Sequence, residues 1–511
     1  MTNTANPDAV NDFGERKKLV PIVFVPGTMG TRLATNGGKL AWNPTGEGRL
    51  SGPAGGVNCP GPQALDAELI AQIDSPLKPV GLLNDDIFKL PGGVQRYPME
   101  YWGYAQAIRY FFSAIPEFYD KLLFKLSRSP AGDGDLFTDL SEKGYEPRVY
   151  VAGYDWRQSC ADAAENFVSP VVQEALKDCD AEQVILIAHS MGGPVARHYC
   201  KYPGKGLVRG LILITSPLLG AMKAYSWIKK GFARDDSETL LPAGMFGMRL
   251  IFFQQLKNWS SIRFCRDIPS MYEMLPTRIF AQNNKNWLEF DKDENQTGYA
   301  YEAAPGEFPV PTQYEDATDP YGLTQDPFTG VGDDEANRVK WAKLVANAEQ
   351  FQFNLTVPGT AAEGEVRKVY LHDNTYIIYS QGLPTKTSGR LKKYGEIQFN
   401  ADTGSVTYEP NWLLEGTPDH NNVIPLIGII NFAKRIRLEI PLEVDSPTTG
   451  DGTVPGASAL PWAGVLAVQP REAVLLEGSD EELFEHSKMP GNPTVTSTVR
   501  RWVLEMLTED E

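Results

Sequence analysis

The stretch Val184-Ile185-Leu186-Ile187-Ala188-His189-Ser190-Met191-Gly192-Gly193 constrains this chain more than any other. A short apolar run of strand character ends in a serine within a small-residue turn. Pro194, Val195, Ala196 and Arg197 then open a predicted helix. Strand, sharp elbow and helix are the context that the nucleophile motif G-x-S-x-G requires, because the residues two before and two after the serine pass too close for large side chains. Here those positions are Ala188 and Gly192, one methyl larger than the motif at the first of them. An ordinary strand–helix connection can show the same letters, so the context is what favours a nucleophile.

The rest of the chain repeats the same rhythm. Leu19 to Val25, Arg148 to Ala152, Leu207 to Ile214 and Ala473 to Leu476 read as buried strands, with Val369 to Leu371 and Thr375 to Tyr379 as further strands. An amphipathic helix is predicted over 160–178 and further helices over 334–350 and about 494–508, and an aromatic stripe at helical spacing over 100–126 reads as core. Strands alternating with helices predict a mostly parallel sheet covered on both faces. Residues 34–66, rich in Gly, Pro and Asn, read as loop. Glu396 to Phe399 and Ser405 to Tyr408 flank Asp402-Thr403-Gly404 as a hairpin. After residue 217 the rhythm breaks, and residues 218–330 mix aromatic and basic residues in a way that suits a cap of apolar helices over the C-terminal edge of the sheet.

Composition narrows the function. The formal charge of −17, from 48 Lys and Arg against 65 Asp and Glu, argues against a nucleic-acid partner. Five scattered cysteines with no C-x-x-C pair suggest neither a zinc knuckle nor a disulfide framework, and no metal is expected. Residues 1–18 are polar and lack the apolar core of a secretory signal, and no run reaches the length of a membrane span. A cytoplasmic protein with reduced thiols is expected, although export without a leader would leave no trace.

A serine hydroxyl needs an imidazole to take its proton and a carboxylate to orient that imidazole. In a hydrolase of this strand–helix design the acid and then the histidine follow the serine in the chain. Of five histidines, His189 is adjacent to the serine and expected to point away, His198 lies two turns down the next helix, and His372 and His420 precede the acid candidate. His486 remains. Among 65 carboxylates, spacing cannot choose; Asp451 stands out only by its flanking glycines, and an ordinary Asp-Gly turn reads the same way. The loop Pro26-Gly27-Thr28-Met29-Gly30 follows the first strand, where Thr28 is the candidate for one oxyanion amide and Met191 for the other. A plain β-to-α turn is the alternative there. Asp155 and Arg157, either side of Trp156, are expected to brace a loop through a buried ion pair.

Taken together, Val25-Pro26-Gly27, Tyr154-Asp155-Trp156-Arg157, Ala188 to Gly193, Pro269-Ser270-Met271-Tyr272-Glu273-Met274-Leu275-Pro276, Gly450-Asp451-Gly452-Thr453-Val454-Pro455 and His486 resemble the lecithin:cholesterol acyltransferase family, which includes lysosomal phospholipase A2 and bacterial lipase-like relatives. The resemblance implies an α/β-hydrolase fold, Ser190 as nucleophile, Asp451 and His486 as its partners, and the amides of Thr28 and Met191 as oxyanion hole. It also implies a cap between core strands. The paired cysteines expected near the N-terminus of secreted members are missing, since Cys59 stands alone there, and residues 300–335 match nothing in the pattern.

The expected organisation is a disordered leader over 1–18 and a first core part over 19–217 with an insertion at about 34–145. A cap over 218–333 and a second core part over 334–511, carrying the acid and the histidine, follow. The expected activity is hydrolysis of lipid acyl esters through an acyl-enzyme on Ser190, with Met29, Trp42, Leu218 and Trp227 as substrate contacts and no cofactor. Two other readings stay open: transfer of the acyl group to an alcohol, and a lipid-binding protein that has lost catalysis. The partner expected is the acyl-ester or lipid substrate itself. The cap is a candidate for transient contact with a membrane or lipid surface, and no obligate protein partner is expected.

Overall fold

The computed structural model describes residues 17–34, 40–42, 78–82, 95–97, 122, 126, 136–230, 265–284, 287–293, 296–302, 310–311, 335–359, 367–391, 393–400, 405–412, 442–479 and 484–508. At its centre is a seven-stranded sheet. In chain order its strands are β1 (Lys18–Val25), β2 (Gln95–Tyr97), β3 (Tyr145–Val151), β4 (Val184–His189), β5 (Val208–Ile214), β6 (Thr375–Gln381) and β7 (Glu472–Glu477). They lie side by side in the order β7-β6-β5-β4-β1-β3-β2. All neighbours are parallel except β2, which runs antiparallel to β3 at the edge.

The continuous apolar runs of these strands follow from burial on both faces. Side chains alternate across a strand, so each strand feeds two cores. Val23 and Val25 of β1, Leu186 and Ala188 of β4, and Leu211 and Leu213 of β5 join one core. On that side lie α2 (Ser169–Cys179) and α3 (Gly192–Lys201), with Val172, Ala175, Val195 and Tyr199 buried against the strands. Ile22 and Phe24, Ile185 and Ile187, and Ile212 and Ile214 join the other core, with α1 (Leu136–Glu142) and the closing helix, Pro493–Thr508, whose Val499, Trp502 and Val503 are fully buried. Truncating one such side chain to alanine, Ile187 for example, costs about 2–5 kcal/mol, because apolar burial is lost and the surroundings fill the gap only in part.

The predicted helix over 160–178 is broken in character: Cys160–Ala163 is α-helical, Ala164–Val168 is a π turn and α2 follows. Its end is set by Asp180, left-handed at φ 48°, whose amide caps the carbonyls of Leu176 and Lys177. The predicted strand at 369–371 forms instead at Arg367–Val369, paired with Thr356–Pro358. The loop expected over 34–66 contains a strand at Leu40–Trp42, paired antiparallel with Thr31–Ala34. Its partner also pairs with Lys78–Leu82, and such long-range pairing overrides the local Gly and Asn signal. The aromatic stripe over 100–126 lies outside the described residues except for Leu122 and Leu126, both buried in the second core. The hairpin expected around residues 396–408 is a longer antiparallel pair, Lys393–Asn400 with Ser405–Trp412.

Beyond β5 come α4 (Met222–Lys230), α5 (Pro269–Glu273), α6 (Arg278–Asn283) and the 20-residue α7 (Glu335–Asn354). The region expected to be a helical cap also contains strands. Leu288–Asp293 and Gln296–Tyr299 share a four-stranded sheet with Ser388–Leu391 and Leu442–Asp445. A boundary at residue 333 therefore cuts across one paired layer, a contact that no local pattern reveals. No helix among the described residues is long and apolar enough to cross a membrane.

Candidate active site

Ser190 stands directly after β4, in the middle of the sheet, with φ 54°. A non-glycine residue held there costs on the order of 1–3 kcal/mol and persists only when its surroundings fix it. They do: the Ser190 amide donates to the Ile214 carbonyl at 3.0 Å, and the Ser190 carbonyl accepts from the Gly193 amide at 2.9 Å. The small residues have a further cause in packing. A Cβ on Gly192 would come within 2.4 Å of the Val25 carbonyl oxygen, and one on Gly27 within 2.7 Å of Ser190 Cβ. The start of α3 is thus pressed against the end of β1.

His486 follows β7 and opens a short 3₁₀ turn, His486–Gly491. Its Nε2 lies 2.7 Å from Ser190 Oγ and its Nδ1 lies 2.6 Å from Asp451 Oδ2. With the proton on Nδ1 donated to the carboxylate, Nε2 is left to accept the serine hydroxyl. Asp451 is 1% exposed and His486 5%, whereas Ser190 is half-buried. Asp451 comes from the long connection between β6 and β7. Its Oδ1 accepts from the amides of Thr453 (3.0 Å) and Val454 (2.7 Å), and its carbonyl accepts from the His486 amide at 3.0 Å. Gly452, at φ 84°, makes the bend that folds these amides back onto the carboxylate. Three distant segments thus meet at the C-terminal rim of the sheet, where α/β folds place their ligands.

The loop after β1 faces the elbow. Thr28 Oγ1 donates to Met191 Sδ at 3.3 Å, joining the two residues whose amides are the oxyanion candidates. Met191 precedes the first residue of α3, at the positive end of that helix. Tyr154 holds the same loop from the other side, its hydroxyl donating to the Pro26 carbonyl at 2.7 Å. The neighbouring Asp155 and Arg157 form a two-point ion pair, at 2.9 and 2.7 Å, with both side chains fully buried. Ser270 Oγ donates to the Trp156 carbonyl, and Glu273 accepts from Ser159 Oγ and the Cys160 amide, each at 2.7 Å. The Tyr-Asp-Trp-Arg and Pro-Ser-Met-Tyr-Glu segments, far apart in sequence, are therefore one junction in space. Burial pushes the Glu273 carboxyl up to about 7, against the pull of those donors.

Other candidates fall elsewhere. His189 does not point away: its ring lies 4.9 Å from that of His486, and its Nε2 lies 3.1 Å from the His486 carbonyl oxygen. Burial first, and the adjacent imidazole second, push its pKa well down and favour the neutral ring, which donates Nε2–H to that carbonyl. The ring also packs near Gly27, where a Cβ would come within 3.3 Å of its Nδ1. His198 sits beside Glu165 and Phe351, and His372 accepts from the Asn374 amide. His420 lies outside the described residues. Leu218 and Trp227 are 4% and 6% exposed within the first core, and Met29 is half-buried against it. Trp42 belongs to the strand Leu40–Trp42, and its side chain lies outside the described residues.

Sequence reasoning missed two contacts. One is the His189–His486 packing just described. The other is Lys223 of α4, 2% exposed, whose ammonium donates to Thr453 Oγ1 at 3.0 Å and lies 3.5 Å from the Gly452 carbonyl. A lysine on a predicted amphipathic helix gives no sign that it reaches an acid loop more than two hundred residues away.

The family model for lecithin:cholesterol acyltransferase matches residues 118–310. That span holds Ser190 and the residue 154–157 and 269–276 segments, and ends before Asp451 and His486. Residues 118–310 are lecithin:cholesterol acyltransferase-like. The motif resemblance and this match agree. Among solved structures, the crystal structure of the Tle4–Tli4 complex matches with 17% identity and a TM-score of 0.52, covering 96% of this chain and 99% of that one. The shared fold is the α/β-hydrolase fold. Phospholipase PlaB from Legionella pneumophila matches at 13% identity over 62% of this chain and 81% of that one, but its TM-score of 0.15 carries no weight. No curated protein matches the chain.

Proposed function

We propose that this protein is a serine esterase that cleaves lipid acyl esters through an acyl-enzyme on Ser190. The observation that carries the reading is the relay from Ser190 Oγ to His486 Nε2 (2.7 Å) and from His486 Nδ1 to Asp451 Oδ2 (2.6 Å). His486 Nε2 takes the hydroxyl proton as Oγ attacks the ester carbonyl carbon. The carbonyl oxygen becomes an oxyanion and accepts from the amides of Thr28 and Met191. His486 then gives the proton to the departing alcohol oxygen as its bond to carbon breaks, leaving the acyl group on Ser190. Asp451 stabilises the imidazolium between these steps and keeps its own charge. Water, deprotonated by His486, releases the acid and restores the serine. No step calls for a metal or cofactor.

The lipid part of the reading rests on the lecithin:cholesterol acyltransferase-like segment and on the apolar character of the residues beyond β5. Met29 and Leu218, four residues beyond the ends of β1 and β5, are offered as substrate contacts together with Trp227 and Trp42. The same segment favours a second reading, in which an alcohol replaces water as acceptor. One experiment separates these readings. The purified protein is given acyl esters from acetyl to long-chain, and phosphatidylcholine with and without sterol or glycerol. The proposal expects long-chain or phospholipid turnover that Ser190→Ala abolishes. New sterol or glyceryl ester would move the assignment to transfer, and preference for acetyl esters throughout would remove the lipid assignment.

A further inference from the structure

We infer that Lys223 is a positioning residue for the acid of the triad, tying α4 to the loop that orients Asp451. The inference rests on the reading of Ser190, His486 and Asp451 as catalytic. Asp451 has two carboxylate oxygens with separate duties. Oδ2 meets the imidazole, and Oδ1 is held by the amides of Thr453 and Val454. The orientation of the carboxylate is therefore no better fixed than residues 452–454 themselves. Gly452 has no side chain to anchor it, and its amide is held by Thr385 Oγ1 at 2.9 Å. Lys223 supplies the anchor on the other side, through the Thr453 hydroxyl and the Gly452 carbonyl.

Its ammonium lies over the Trp227 ring, 5.8 Å from the centroid, so a residue one turn along the same helix helps to place the cation. The same charge acts on Glu485, the residue before His486, which is 4% exposed and accepts from Ser487 Oγ at 2.5 Å. Burial pushes the Glu485 carboxyl up, while Ser487 and then Lys223 pull it down. One lysine thus bears on the turns that carry both partners of the serine. It touches none of the three reacting side chains, so its effect passes through the geometry of Asp451. Because α4 leads out of β5 into the region expected to be the cap, displacement of that helix would loosen the acid.

The test compares wild type, Lys223→Met, Lys223→Arg, Thr453→Val and the double variant Lys223→Met/Thr453→Val on a soluble short-chain ester. kcat, KM and the rate of inactivation by a fluorophosphonate are read for each, with thermal unfolding as a check on folding. Loss of one charged hydrogen bond predicts a fall in kcat and inactivation rate of about tenfold in Lys223→Met, with KM almost unchanged. Lys223→Arg should recover part of the loss, Thr453→Val should lose less, and the double variant should be no worse than Lys223→Met alone. Wild-type kcat in folded Lys223→Met, or a double variant whose loss is the product of the two, overturns the inference. Should Lys223→Met not fold, wild-type kcat in Thr453→Val does the same. A wild type that neither turns over ester nor is inactivated defeats the triad reading instead, and this inference with it.

Discussion

Two buried carboxylates in this molecule, Asp451 and Asp155, are each paired with a nitrogenous side chain, and the two pairs are put to different use. Asp155 and Arg157 stand two residues apart, both fully buried, and their side chains close on one another through two hydrogen bonds. Asp451 and His486 are 35 residues apart in the chain, and their side chains meet through a single hydrogen bond. The second nitrogen of the imidazole faces Ser190, the one half-buried member of the group. A pair locked at two points by neighbouring residues braces the loop it sits in. A pair with an atom left over can move a proton.

That contrast makes separable predictions. Ser190→Ala should leave stability close to wild type and remove esterase activity by a factor on the order of 10⁴ or more, as loss of a nucleophile does in other triads. Retained turnover would erase the distinction. Asp155→Asn should do the reverse, leaving the Arg157 cation buried without its carboxylate and costing about 3–5 kcal/mol of unfolding free energy. Urea unfolding reads that loss, and unchanged stability would show that the Asp155 pair is dispensable.

Glu273 sharpens the comparison, because it is a third buried carboxylate and its partners are neutral donors. Its carboxyl titrates at about 7 in the fold, above its ordinary 4.5, so the folded state holds the proton more tightly. The stability it contributes is complete below about 4.5 and is lost as pH rises through about 7, an effect on the order of 3 kcal/mol. Urea unfolding of wild type and Glu273→Gln at about pH 5 and about pH 8 should show a decline in wild type that the variant lacks. Parallel declines would contradict it. The smallest effect expected is at His189. His189→Phe keeps a ring beside His486 but loses the donor to its carbonyl, and kcat should fall several-fold, about 1 kcal/mol in the barrier. An unchanged kcat would make the contact mere packing.

The sheet was legible because burial on both faces leaves continuous apolar strands, and β1, β4 and β5 form where such runs occur. The strand at Leu40–Trp42 was hidden because its stability comes from partners at 31–34 rather than from its own residues. For the site, Ser190 could be read from its elbow and His486 by elimination among five histidines. Asp451 could not be chosen by spacing and needed the resemblance. The structure brings these three side chains within hydrogen-bond reach of one another. His189 and Lys223 were illegible for one physical reason: their contacts span 297 and 230 positions, and the chain carries no local trace of what folding brings beside them.

The central claim is that Ser190 is made nucleophilic by His486 and Asp451. Its most direct test is to treat the folded protein with a fluorophosphonate and locate the adduct by peptide mass spectrometry, for wild type, Ser190→Ala and His486→Asn. The account predicts a single adduct on the peptide containing Ser190, absent in Ser190→Ala and formed far more slowly in His486→Asn. An adduct on another residue, equal labelling of Ser190→Ala, or undiminished labelling without the imidazole would contradict it.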